Sequence, residues 1–323
     1  MKHLVVGGEG YIGQKLVSDL ININKDAVIS FDCRIYKQKK NSNIYNKKLY
    51  RLINDKMSNF KKYSKILSSI DSLIILGGLV GDPITKKYSK ISKKINEDDI
   101  MNIMKISSKY KVPKIIFIST CSNYGLVNET EFATEKHRLK PLSLYAKSKV
   151  KCEKYLFKLK FNTPVILRFA TAFGLSDRMR FDLTVNEFSR DLYYKKKLDI
   201  YDQKSWRPYC HVNDFSRIIR KVLIAKKKKV AYQIFNVGNN RNNCTKKNLV
   251  DKIVRILKYK NNRINYLNKG FDRRNYKVDF SKIEKVLKIK TKFDINYGIK
   301  EIVSFFKKNK NYFKNKKLGN YKI

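Results

Sequence analysis

The chain has 323 residues, 42% of them hydrophobic, which is enough for one large domain or two closely packed lobes. No apolar run reaches the roughly 18 residues a membrane span needs, and Leu4-Val5-Val6 runs straight into glycines, leaving no core for a secretory signal. The 73 Lys+Arg against 27 Asp+Glu, a formal +46, would suggest a nucleic-acid binder, but lysine is spread along the whole chain with Asn, Ile and Tyr, as A/T-rich coding favours, and reads as a solvated coat.

The first two thirds alternate short apolar runs with helical patterns, the signature of a parallel sheet covered by helices. In chain order the expected strands are Lys2–Val6, Ala27–Phe31, a weaker one near Leu49–Ile53, Ser72–Leu76, Lys114–Ser119, Pro164–Phe169 and Tyr232–Val237. Helices are expected over Gly10–Asn22, Asn96–Tyr110, Leu144–Phe157, Lys246–Leu257 and Tyr297–Lys307. Between Gly174 and Asp214 the pattern turns irregular and holds the sole tryptophan, Trp206. The lysine-rich end, 307–323, reads as a frayed tail, with contact to an anionic membrane surface as the alternative. The five cysteines (Cys33, Cys121, Cys152, Cys210, Cys244) form no C-x-x-C pair, as expected of free thiols in a reducing cytoplasm. With His3, His137 and His211 far apart, no protein-built metal site is expected.

Gly7-Gly8-Glu9-Gly10-Tyr11-Ile12-Gly13 follows the first strand and opens the first helix. It reads as G-x-G-x-x-G from Gly8 or as G-x-x-G-x-x-G from Gly7. In either register glycine permits the tight turn and lets backbone approach a pyrophosphate, while the helix N-terminus offers free N–H groups. Asp32, 19 residues beyond Gly13, stands where a carboxylate accepts the adenosine ribose hydroxyls. A carboxylate there repels a 2′-phosphate and favours NAD over NADP; Arg34 nearby softens that preference.

Tyr145 and Lys149 are four residues apart, hence on one helix face. A phenol is a poor base at neutral pH, and a neighbouring ammonium favours the phenolate. That pair suits proton transfer at a sugar hydroxyl while hydride leaves the same carbon. The spacing alone is common by chance; what raises its weight is the preceding strand, which ends in Ser119-Thr120-Cys121-Ser122, where Thr120 could bond the reacting oxygen.

Together these motifs resemble the NAD-dependent epimerase/dehydratase family, the extended short-chain dehydrogenases. The glycine turn, Leu76-Gly77-Gly78 with Val80-Gly81-Asp82-Pro83, Thr120 through Gly125, Tyr145 through Lys149, and Arg207 through Asp214 match its motifs in order, and the match runs from Lys2 to about Phe306. The resemblance implies a doubly wound, Rossmann-like parallel sheet over 1–173, to which a strand at 230–238 returns, with a smaller α/β substrate lobe over 174–306. Tyr145 is implied as general acid/base, Lys149 as its tuner and a nicotinamide-ribose ligand, and Thr120 as the hydroxyl partner. Gly7, Gly10, Tyr11, Ile12, Gly13, Asp32, Leu76, Gly77 and Gly78 would hold NAD, with Asp55 at the adenine. Arg207 would pair with the substrate diphosphate. Thr171 stands where the family usually has Asn, which puts that contact in doubt.

The implied reaction is hydride transfer at a nucleotide-sugar carbon, usually C4, by an epimerase or oxidoreductase that dimerises through the helices carrying Tyr145 and following Pro83. Dehydratases of the family carry an Asp-Glu pair after the threonine, and Cys121-Ser122 here ranks that outcome below epimerisation or simple C4 redox; a reductase of the same family is a further alternative. Cys121 sits one position early for an epimerase acid/base and reads as a packed thiol. A non-catalytic NAD-binding scaffold and a nucleic-acid binder are the readings from other classes.

Overall fold

Seven short runs rich in Val, Ile and Leu pair in parallel: β1 (Lys2–Val6), β2 (Ala27–Phe31), β3 (Tyr50–Ile53), β4 (Ser72–Ile75), β5 (Lys114–Thr120), β6 (Thr163–Phe169) and β7 (Gln233–Val237). Their order across the sheet is β7-β6-β5-β4-β1-β2-β3. The computed structural model describes residues 1–36, 48–258, 263–267, 274–310 and 318–321. Among the described residues, eight α-helices of seven residues or more accompany the strands: α1 (Tyr11–Asn22), α2 (Ile100–Lys109), α3 (Leu144–Lys158), α4 (Thr184–Tyr193), α5 (Val212–Ile224), α6 (Lys246–Leu257), α7 (Ser281–Leu287) and α8 (Ile295–Asn309).

The sheet is covered on both sides, which is why its central strands are apolar throughout rather than alternating. β4 and β6 are buried at every position. On one face Val5, Ile74 and Val165 pack under Leu16, Val17 and Leu20 of α1 and Phe215 and Ile219 of α5. On the other, Leu4, Leu73 and Ile115 pack under Ile100, Ile103 and Met104 of α2 and Leu156 of α3. β1 is the switch point: Val6 pairs with Phe31 of β2 on one side and with Ile75 of β4 on the other. The crevice beyond the carboxyl end of β1 is therefore where a ligand fits.

The smaller lobe gathers α4, α6 and α8 around Val185, Leu192, Tyr209, Leu249, Ile253 and Ile299. The lobes interleave, because α5, β7 and α7 return to the large sheet and bury Ile218, Phe235 and Ile283 there. Tyr11, in the glycine turn, ties the lobes: its hydroxyl donates to Gly174 O at 2.6 Å, and Ser176 Oγ donates to Tyr11 O at 2.6 Å.

Two segments differ from the sequence expectation. The helix expected from Asn96 begins as a wider π-turn, Lys94–Asp99, before α2. There Asn96 braces the loop after β4, accepting from Leu79 N–H at 2.7 Å and donating to Leu79 O at 2.9 Å. The expected frayed tail is folded at Leu318–Tyr321, where Asn320 is only 8% exposed. Residues 311–317 and 322–323 of that tail lie outside the described residues.

Gly13 lets α1 pack against the end of β1. A Cβ there would lie 2.2 Å from Gly7 O and 2.8 Å from Gly8 backbone. Gly13→Ala should therefore cost about 3 kcal/mol, the upper range for overpacking against atoms that cannot swing away. Guanidinium unfolding of the purified variant checks this, and an unchanged midpoint would mean that the turn relaxes.

Candidate active site

A continuous cavity of about 1820 Å³ opens along the carboxyl edge of the sheet and extends beneath the smaller lobe. Gly7, Gly10, Tyr11, Ile12 and Gly13 line one end, with Asp32, Leu76, Gly77 and Gly78. Gly7 has φ +84°, and a Cβ on it would meet Gly77 N at 2.5 Å. Gly8 is instead packed on Ser30, so the register of glycines at the cavity is the one starting from Gly7. Gly10 caps α1 without a side chain, leaving the helix N-terminus to meet an anion.

Asp32 immediately follows β2 and is oriented by N–H groups of Glu9 and Arg34, at 3.0 and 2.7 Å. Burial raises its pKa above the ordinary carboxylate value despite those bonds. Asp55 lies beside the cavity rather than among its lining residues. Its carboxylate accepts from Lys56 N–H, Asn59 and Tyr63, and the cavity wall there is formed by Lys56, Met57 and Ser58. A carboxylate one residue before a helical turn is drawn to that turn's own donors.

Thr120, Tyr145 and Lys149 line the middle of the same cavity. Ser143 starts α3 by accepting from Ala146 N–H at 3.2 Å, which puts Tyr145 on the first turn and Lys149 one turn on. Lys149 is 2% exposed. Its ammonium donates to Ile118 O at 2.8 Å and lies 4.6 Å from the Phe117 ring centre and 5.7 Å from that of Tyr145. Burial pushes its pKa down from 10.5 to about 8. Thr120 Oγ1 accepts from Ser122 N–H at 3.1 Å, so its own proton is available to a ligand oxygen.

Behind these groups runs a buried polar network. Glu153, one turn after Lys149, accepts from Ser119 Oγ at 2.5 Å, Asn123 Nδ2 at 2.8 Å and Arg168 Nη2 at 2.7 Å. Arg168 also donates to Tyr124 Oη, whose own proton goes to Asn236 Oδ1 at 2.7 Å. The turn after Thr120 is thereby fixed from three strands.

Beyond Tyr145 the wall includes Thr171, Arg207, Ser122, Arg274, Tyr276 and Lys246. The Arg207 guanidinium is buried, donating to the carbonyls of Trp206 and Arg274 and stacked 5.4 Å from the Tyr276 ring centre. Cys121 points the other way, into the core, with Sγ 3.2 Å from Arg168 O. Burial holds its thiol well above the ordinary range, as a packed thiol requires.

The sequence profile of the NAD dependent epimerase/dehydratase family matches residues 3–238. The chain belongs to that family. An uncharacterized protein from Methanocaldococcus jannaschii is 27% identical over 96% of this chain and 97% of its own length. A UDP-glucuronate 4-epimerase from Thermodesulfobacterium geofontis is 25% identical over 95% of this chain and 96% of its own. The fold is shared with the UDP-glucuronic acid 4-epimerase from Bacillus cereus, solved with UDP-glucuronic acid and NAD, at TM-score 0.84, 23% identity, and coverage of 96% and 100%.

As a member of this family the protein is an NAD-dependent enzyme. Its residues fit the dinucleotide: the hollow at Gly7 and Gly13 is one a Cβ would fill, and a carboxylate follows β2. The sequence reading missed Ser122, Lys246, Arg274 and Tyr276. The pair Arg273-Arg274 in a chain dominated by lysine was the available signal, since arginine is the residue that grips phosphate with a fork.

Two expectations follow. Glu153→Ala leaves the Arg168 guanidinium buried without its carboxylate and should destabilise the protein by about 3–5 kcal/mol in denaturant titration. Lys149→Met should raise the stability of cofactor-free protein at pH 7. The folded pKa lies below the unfolded one, so protonation penalises folding below about pH 8, and that penalty fades as pH rises toward 10.5. Melting curves from pH 7 to 10 check this; a gap between variant and wild type that stays constant would refute it.

Proposed function

We propose that the protein is a nucleotide-sugar epimerase or C4 oxidoreductase working with Tyr145, Lys149 and Thr120. One observation carries the reading: those three side chains, the glycine turn and Arg207 line a single cavity. NAD, when bound, supplies the hydride acceptor for the sugar carbon. Tyr145 as phenolate removes the C4 hydroxyl proton while Thr120 donates a hydrogen bond to the same oxygen. Lys149 stabilises the phenolate through its charge, at a distance set by the helical turn between them. Arg207, Lys246 and Arg274 present cations to the diphosphate, and Gly7, Gly10, Tyr11, Ile12, Gly13, Asp32, Leu76, Gly77 and Gly78 hold the dinucleotide.

For epimerisation the same groups would return the proton to the keto oxygen as the sugar is reduced from its opposite face; for simple oxidation the keto sugar would leave and the reduced cofactor would exchange for the oxidised form before the next turnover. Elimination of water would need a further acid and base beside Thr120; Cys121 is buried away from the cavity, and Ser122 is neither at neutral pH. The epimerase named among the relatives supports the first outcome. Four of the five cysteines are buried free thiols, in keeping with a cytoplasmic enzyme, and a homodimer through α3 belongs to the same proposal.

Tyr145→Phe should retain NAD and lower turnover of a UDP-sugar by about 10²–10⁴-fold. Stopped-flow absorbance at the reduced-nicotinamide band is the measurement, and unchanged turnover would remove Tyr145 from the chemistry.

A further inference from the structure

One cation on the cavity wall has no part in the chemistry above. Arg178 belongs to the loop leading into α4, yet its guanidinium lies 4.5 Å from the ring centre of Tyr36, just past the end of β2, and the charges of Arg180, Asp182 and, more weakly, Asp32 act on it. It is 4% exposed. Among the described residues no carboxylate comes within ion-pairing distance; its hydrogen bond goes to a neutral amide, Asn320 Oδ1, at 2.6 Å. Asn320 also donates to Val80 O at 2.9 Å, on the loop following Gly77-Gly78. Leu318 O accepts from Phe181 N–H at 2.7 Å. Residues 318–321 thus stitch the cofactor-side loop to the smaller lobe, and Asn320 and Tyr321 themselves line the cavity.

A buried guanidinium without a carboxylate is costly unless an anion arrives. Arg190 and Arg180 differ in this respect, each holding an aspartate, Asp191 at 2.7 Å and Asp182 at 2.5 Å. We propose that Arg178 is a ligand of the cofactor pyrophosphate at its adenosine-ribose side, and that Asn320 positions it, so that the C-terminal segment completes the dinucleotide site. The neighbours fix the assignment: Asp32 and Tyr36 flank the adenosine end, whereas Arg207, Arg274 and Lys246 line the substrate end of the cavity. The inference rests on the dinucleotide occupying the glycine-turn end of the cavity.

The test is calorimetric titration of full-length, nucleotide-stripped protein with NAD, ADP-ribose and UDP. Arg178→Ala should weaken NAD and ADP-ribose alike by about 10-fold or more, as expected for a charge-assisted contact, with UDP unaffected. Arg178→Lys should recover part of the loss, and Asn320→Ala should weaken NAD and ADP-ribose severalfold while leaving UDP unchanged. Circular dichroism verifies folding, and the Lys and Asn320 variants decide the matter if Arg178→Ala does not fold. Unchanged NAD and ADP-ribose affinity overturns the proposal, as does a loss confined to UDP, which would move Arg178 to the substrate. Wild-type protein that binds neither NAD nor ADP-ribose would instead sink the dinucleotide reading itself.

Discussion

An ammonium buried at the edge of a parallel sheet is the constraint around which the rest of this molecule is arranged. Lys149 donates to one backbone carbonyl and sits against the rings of Phe117 and Tyr145. Such a charge is tolerated only where rigid dipoles and π-faces replace its water. Helix α3 therefore has to dock in one position, and the Ser143 cap at its start and the Glu153 network one turn beyond Lys149 both serve that docking. The same desolvation that penalises folding leaves the charge of this ammonium little screened beside the Tyr145 ring.

The second arrangement is a clamp between lobes that uses backbone more than side-chain charge. Tyr11 stands in the glycine turn, but its hydroxyl is engaged with Gly174 O and with Asn186 Nδ2 at 3.2 Å. What Tyr11 offers a dinucleotide is thus its backbone and ring, while its polar tip holds the smaller lobe over the crevice. Asn96 does the equivalent for the loop after β4, and Asn320 for the C-terminal end. Neutral amides suit this work because one side chain both donates and accepts, bridging two backbones without adding charge to a cavity that must receive phosphates.

These differences explain which features were legible in the sequence. The strands of the large sheet were, because burial on both faces writes itself as unbroken apolar runs, and the glycine turn was, because only glycine tolerates the contact with Gly77. That Tyr145, Lys149 and Thr120 share one cavity was legible through spacing and strand end. Asn96 and Asn320 were not: each acts through backbone groups distant in the chain, and asparagine is common here without periodicity. The local partners of Asp55 were not legible, because position along the chain says nothing about Asn59 and Tyr63, which donate to its carboxylate.

The overall charge, +46, and the charge of the cavity answer different questions. Lysines such as Lys86, Lys87 and Lys94 stand at the cavity wall, and as mobile, strongly hydrated charges they attract a polyanionic ligand over long range without specifying its pose. The arginines are few by comparison, and Arg178 and Arg207 are buried with orientations set by Asn320 in one case and by two carbonyls in the other. A planar fork held in this way selects geometry rather than sign. On the proposed reading, attraction falls to a diffuse coat that composition supplies, and recognition to a few desolvated guanidinia that the fold holds in place.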